Sequence, residues 1–155
     1  MGILIRNFRE EDFSGTCLLE RGEKGARYPA SVFIRQASVL YPGTFLVARE
    51  NDELAGYCIG AVPGNSTCEA WILRLRVSLP YRRRHIGSDL IQTLLAEFLR
   101  RGIFIVQLSV APENTSAQAL YRKFGFEVAT FCKGYFGDGE DRIIMELRQG
   151  QSSGT

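Results

Sequence analysis

Between Trp71 and Ser88 the chain runs eighteen residues without an acid and carries five arginines: Arg74, Arg76, Arg82, Arg83 and Arg84. The last three fall in Pro80-Tyr81-Arg82-Arg83-Arg84-His85-Ile86-Gly87-Ser88, which joins a strand pattern to a strong helix pattern. The first amides of a helix have no partner within it, and together with the helix dipole they form an anion site. Arginines placed just before them add charge and the paired N–H donors that hold phosphate. The segment therefore reads as a cradle for a diphosphate or as a solvated basic turn. A second constellation, Val110 to Phe126, contains Asn114, a good helix cap, and Tyr121, about two turns further on. A tyrosine opposite an apolar helix face made by Leu120 and Phe124 is either a structural residue with a satisfied hydroxyl or a proton donor.

The elements that must position these residues follow from periodicity. Ile3 to Ile5 is a short first strand, and Glu10-Glu11-Asp12 opens a helix to about Glu20, with acids where the dipole favours them. Gly22 to Pro29 is a loop, and Ser31 can cap a second helix to about Leu40. Phe45 to Ala48 and Leu54 to Val62 form a hairpin about Glu50-Asn51-Asp52. Ala70 to Val77 is a strand in which Trp71, Leu73, Leu75 and Val77 point one way and Ile72, Arg74 and Arg76 the other. Ile86, Leu90, Leu94 and Phe98 recur every four residues in a helix to about Arg100, with Gly102 at its left-handed cap. Ile103 to Val110 is apolar almost throughout, as a buried strand would be. Thr115 to Phe124 is a short helix, and Phe126 to Tyr135 and Ile143 to Leu147 are two strands joined at Gly137-Asp138-Gly139. The order β-α-α-β-β-β-α-β-α-β-β predicts a mixed α/β fold with helices on both faces of a mixed sheet.

Composition narrows the function classes. A chain of 155 residues predicts one domain, and its 45% hydrophobic and 23% charged residues exclude a disordered or fibrous protein. The net charge of +2 argues against a dedicated nucleic-acid binder. One histidine and four cysteines without a CxxC (Cys17, Cys58, Cys68 and Cys132) predict no metal site and reduced, core-packed thiols. Neither a signal peptide, a membrane span nor a myristoylation signal is read, so the expectation is a soluble, cytoplasmic protein. Residues 1–148 are expected to form a single domain, with 149–155 as a flexible tail.

Taken together, the two constellations resemble the GCN5-related N-acetyltransferases. Their signature, Gln/Arg-x-x-Gly-x-Gly/Ala opening a long helix, is similar to Arg82-Arg83-Arg84-His85-Ile86-Gly87. Their Asn-x-x-Ala-x-x-Leu-Tyr-x-x-x-Gly-Phe is carried here by Asn114, Ala117, Leu120, Tyr121, Gly125 and Phe126. His85 stands at the first glycine position, where a Cβ could crowd a diphosphate. Lys133 to Leu147 resembles the Tyr-Tyr-x-Asp-Gly-Glu-Asp hairpin of the N-terminal protein acetyltransferases, among them the ribosomal-protein alanine acetyltransferases.

The resemblance implies a mostly antiparallel central sheet, acetyl-CoA as cosubstrate and an amine acceptor, with no membrane or nucleic acid involved. It implies that the backbone of Leu75, Arg76 and Val77 pairs with the pantetheine arm and polarises the thioester carbonyl. Arg82, Arg83, Arg84, His85, Ile86, Gly87, Ser88 and Asn114 would bind the cofactor, and Tyr121 would line that site and protonate the thiolate. Tyr135 and Phe136 would contact the acceptor, taken to be the N-terminal α-amine of a protein or peptide. For the base, the position that carries a glutamate in the alanine acetyltransferases is Ser109, which leaves Glu69, acting through water, or water alone. A small-amine acetyltransferase (polyamine, amino acid or antibiotic), an acetyl-CoA sensor and a nucleic-acid-binding module are the alternatives; monomer and homodimer are both open.

Overall fold

The computed structural model describes residues 2–22 and 29–150. Most of the expected loop between Gly22 and Pro29, and the tail beyond Gly150, lie outside the described residues. Seven strands stand in the order β1-β2-β3-β4-β5-β7-β6, and the element order is the one the periodicity predicts. The backbone contacts fall into two compact units, Met1–Ala61 with Arg74–Glu97, and Val62–Leu73 with Phe98–Thr155.

The first unit contains β1 (Leu4–Asn7), α1 (Phe13–Arg21), α2 (Ala30–Leu40), β2 (Phe45–Glu50) and β3 (Glu53–Ala61). It also holds the last residues of β4 (Glu69–Val77) and most of α3 (Ile86–Arg100). β1, β2 and β3 pair antiparallel, with a bulge at Ala48/Arg49. Alternation along β3 divides its neighbours: Tyr57 and Ile59 join Ile34, Ala37, Phe45 and Val47 in one buried cluster, whereas Gly56 and Cys58 meet Leu90 of α3. Ala30, Ile34 and Ala37 are the buried stripe of α2, and Ile86, Leu90, Ile91 and Leu94 that of α3, the spacing a one-sided helix requires. Cys58 is fully buried, its thiol facing the Leu90 carbonyl at 3.8 Å, and burial pushes that thiol up from its ordinary range.

The second unit contains the first half of β4, which runs parallel to β5 (Ile105–Val110) over Glu69–Ile72. β7 (Arg142–Arg148) pairs antiparallel with β5 and with the edge strand β6 (Glu127–Cys132). α4 (Thr115–Lys123) connects β5 to β6.

Three local expectations are corrected. Ser31 does not cap α2: the helix starts at Ala30 with Pro29 in the cap position, so Ser31 is already inside the first turn, and the Val32 amide is taken by the Pro29 carbonyl at 3.0 Å. β5 begins at Ile105 because the Ile103 amide bonds back to the Phe98 carbonyl and closes the end of α3. β6 ends at Cys132, not Tyr135, because Gly134 takes φ 63° and its amide bonds the Asp141 carboxylate at 2.8 Å, turning the chain early.

Asp12 ties the first unit together. It is 1% exposed and accepts from Arg6 of β1 at 2.7 Å, Arg49 of β2 at 2.8 Å and the Arg9 amide at 2.8 Å. Burial alone would raise its carboxyl; the two guanidinium groups and the amide outweigh burial and hold it below the usual carboxylate range. A depressed carboxyl gives stability that is present above the unfolded value, about 4, and lost as pH falls through the folded one. Asp12→Asn should therefore cost about 3 kcal/mol at neutral pH, the order expected when one member of a buried ion pair is removed. Urea midpoints of wild type and variant should converge as pH is lowered below about 4; a constant gap would refute this account.

Candidate active site

In the first unit the site is built on the last residues of β4. The side chains alternate, but the face shared with Ala70 and Ile72 is the buried one, while Leu73 on the other face is 38% exposed. Arg74, half-buried, and Arg76, exposed, share that parity and both reach a buried carboxylate. Glu20 of α1 is 1% exposed; it receives Arg74 Nε at 2.9 Å, Arg76 Nε at 3.4 Å and the hydroxyl of buried Tyr57. Burial, with the Glu20 charge adding to it, drives the Tyr57 hydroxyl far above its ordinary value, so it stays a donor. Arg74 also lies over the Phe33 ring of α2, 5.5 Å from its centroid.

The ladder between β4 and β5 covers Glu69 to Ile72. Leu75, Arg76 and Val77 therefore run beside β3 with no strand paired to their other edge among the described residues. Gly56 of β3 sets how closely that neighbour approaches: a Cβ there would stand 2.7 Å from the Arg76 carbonyl oxygen and 3.4 Å from Val77 Cα. Only glycine permits such an approach.

Beyond β4, Leu79–Tyr81 forms one 3-10 turn and the chain then bends into α3. Arg82 is extended, whereas Arg83 has φ 64° and His85 φ 61°. His85, at the position where glycine was expected, thus takes the left-handed conformation that glycine adopts freely. The Asp89 amide bonds the His85 carbonyl at 3.0 Å and starts the helix. The amides of Ile86, Gly87 and Ser88 precede that first bond and have no backbone acceptor among the described residues, as for any helix start. The three arginines differ in their engagements. Arg82 Nε donates to the Val77 carbonyl at 3.3 Å. Arg84 holds both oxygens of Glu50 at 2.7 and 3.1 Å and keeps that carboxyl below its ordinary range.

The second unit holds the remaining predicted residues. The Asn114 side chain accepts the Ala117 amide at 3.2 Å, the cap that its sequence position implied. Tyr121 is 8% exposed, with its ring edge-on to Phe126 at 5.8 Å. Gln118, one turn earlier, is also buried, whereas Leu120 and Phe124 are half-buried, so Tyr121 lies within the inward face of α4 rather than opposite it. Glu69 starts β4, its amide bonded to Ser66 Oγ at 3.0 Å. Tyr135 and Phe136 are 44% and 61% exposed. Their rings pack at 4.9 Å, and Arg142 lies over the Phe136 ring at 5.0 Å.

What this arrangement can do is hold an anion at the start of α3 and accept an extended ligand along the open edge of β4. Residues 5–126 match the acetyltransferase (GNAT) family. The chain belongs to that family. Among its relatives, the ribosomal protein bS18-alanine N-acetyltransferase of Escherichia coli is 35% identical over 63% of this chain and 66% of that enzyme. An N-acetyltransferase of Methanocaldococcus jannaschii is 28% identical over 98% of this chain and 96% of its own length. Among solved structures, Ard1 from Thermoplasma volcanium superposes with a TM-score of 0.87 at 23% identity, covering 97% of this chain and all of that one. The E. coli ribosomal-protein-S18-alanine N-acetyltransferase gives 0.82 at 25% identity, covering 98% of this chain and 97% of its own. This GNAT protein is an acetyl-CoA-dependent acyltransferase, and no helix among the described residues is long and apolar enough to cross a membrane.

The buried Glu20 set and the close approach at Gly56 were missed by sequence reasoning; a glycine inside an otherwise apolar strand was the available signal for the second. Gly56→Ala should destabilise the protein by about 1–3 kcal/mol through overpacking against the Arg76 carbonyl. Thermal unfolding should show a fall of several degrees, and an unchanged midpoint would mean β3 and β4 have room to part.

Proposed function

We propose that this GNAT acetyltransferase acetylates the N-terminal α-amine of a protein or peptide, which attacks the donor directly in a ternary complex. The observation that carries the acceptor class is the exposed Tyr135–Phe136 pair on a turn pinned by Asp141. Exposed aromatic rings on a fixed turn suit an extended chain better than a small amine. The likeness to the E. coli alanine acetyltransferase, which acts on a ribosomal protein, supports the same reading.

The residues fit the donor. Acetyl-CoA supplies an activated acyl thioester when bound. The amides of Ile86, Gly87 and Ser88, with Arg82 and Arg83, would hold its diphosphate by charge-assisted bonds. The unpaired backbone edge of Leu75, Arg76 and Val77 would hold the pantetheine arm, and one of its N–H groups would stabilise the developing oxyanion. Asn114 would support the site through the start of α4. Tyr121 would give its hydroxyl proton to the departing sulfur as the C–S bond breaks. The acceptor amine, neutral when it attacks, loses its proton through water to Glu69 or to the solvent itself. Holding amine and carbonyl in line supplies most of the rate. Residues 1–148 would form one catalytic domain.

Tyr121→Phe should lower kcat by about 10²-fold, the lower end of what a general acid contributes, with CoA affinity nearly unchanged. Steady-state kinetics beside calorimetry would check this, and unaltered kcat would remove Tyr121 from the chemistry. Tyr135→Ala with Phe136→Ala should raise KM for an acceptor peptide at least tenfold and leave KM for acetyl-CoA in place. Acetylation of spermidine or free amino acids in preference to peptides would instead identify a small-amine enzyme.

A further inference from the structure

The turn that opens α3 is bent in a way its residues resist. Arg83 and His85 both have positive φ, at 64° and 61°, where an L side chain crowds its own backbone. Such a conformation persists only when the surroundings impose it. Those surroundings are visible. Arg84, between the two strained residues, grips both carboxylate oxygens of Glu50 at 2.7 and 3.1 Å. Its guanidinium lies 5.3 Å from the centroid of the Tyr81 ring, and the Tyr81 hydroxyl donates to Glu53. The Tyr81 and Arg82 amides bond back to Ser78 and Leu79. Glu50 and Glu53 flank the β2–β3 turn, where Asn51 also has positive φ. The hairpin turn and the arginine turn are thus clamped to one another at two points.

We propose that Glu50 is a positioning residue for acetyl-CoA: through Arg84 it holds the His85 turn in the left-handed conformation that presents the first amides of α3. This rests on the reading that those amides cradle the diphosphate. Glu50 touches no part of the donor, and the guanidinium of Arg84 is a structural clamp rather than a phosphate ligand. A glycine in place of His85 would need no clamp, because glycine adopts φ near 60° without strain.

The test is a double-mutant cycle on the full chain, titrating CoA by calorimetry into wild type, Glu50→Gln, His85→Gly and the double variant, with circular dichroism confirming that each is folded. Glu50→Gln should weaken CoA binding by about fivefold, the upper range for a bidentate pair near the surface. KM for acetyl-CoA should rise with it, more than kcat falls. In the His85→Gly background the same substitution should change affinity by less than about twofold, since the conformation it protects is then intrinsic. Tighter binding by Glu50→Gln would overturn the proposal, because Arg84 would then be a phosphate ligand that Glu50 withholds. Equal losses in both backgrounds would overturn it too, since the clamp would not act on His85. Failure of wild type itself to bind CoA would instead bring down the cradle reading beneath it.

Discussion

A carboxylate can be buried only where partners replace its water, and Glu20 of α1 is buried. Its partners come from two strands: Tyr57 on β3, Arg74 and Arg76 on β4. Within the first unit this one group therefore fixes a helix against the stretch of strand with an unpaired edge. The two arginines compensate that charge from one face of β4, Arg74 half-buried and Arg76 exposed. With Arg74 and Arg76 committed to one side, the peptide edge of Leu75 to Val77 is presented in a single orientation.

Rigid parts surround that edge. Gly56 lets β3 approach the Arg76 carbonyl, and Arg82 reaches back to the Val77 carbonyl. The Asp12 cluster locks β1 and β2 behind them. A site whose work is mainly orientation needs such a frame, because small misplacements of two reacting groups cost more rate than the loss of one weak contact.

How much of this was legible follows from the range of each interaction. The α3 helix, the Asn114 cap and the Gly102 terminus were read correctly because each depends on neighbours within a turn or two. The order of strands followed from the same local periods. The pairing of Arg84 with Glu50 spans 34 positions and that of Arg74 with Glu20 spans 54, and no local pattern signals either. Burial misled at Tyr121, where alternating polar and apolar residues on a short helix disguised which side faces inward. At His85 the sequence displayed an exception to a glycine pattern, but its consequence, a strained conformation retained rather than abandoned, is visible only in the backbone.

Cys58 bears on a hazard peculiar to thioester chemistry. A thiolate exchanges readily with an acyl thioester and would take the acetyl group for itself. Cys58 lies on β3 with no exposed surface, its sulfur against the Leu90 carbonyl and its proton retained by desolvation. The same tight packing of β3 on α3 that shapes the strand edge also shields this sulfur, so Cys58 serves as a small apolar filler without itself being a rival acceptor.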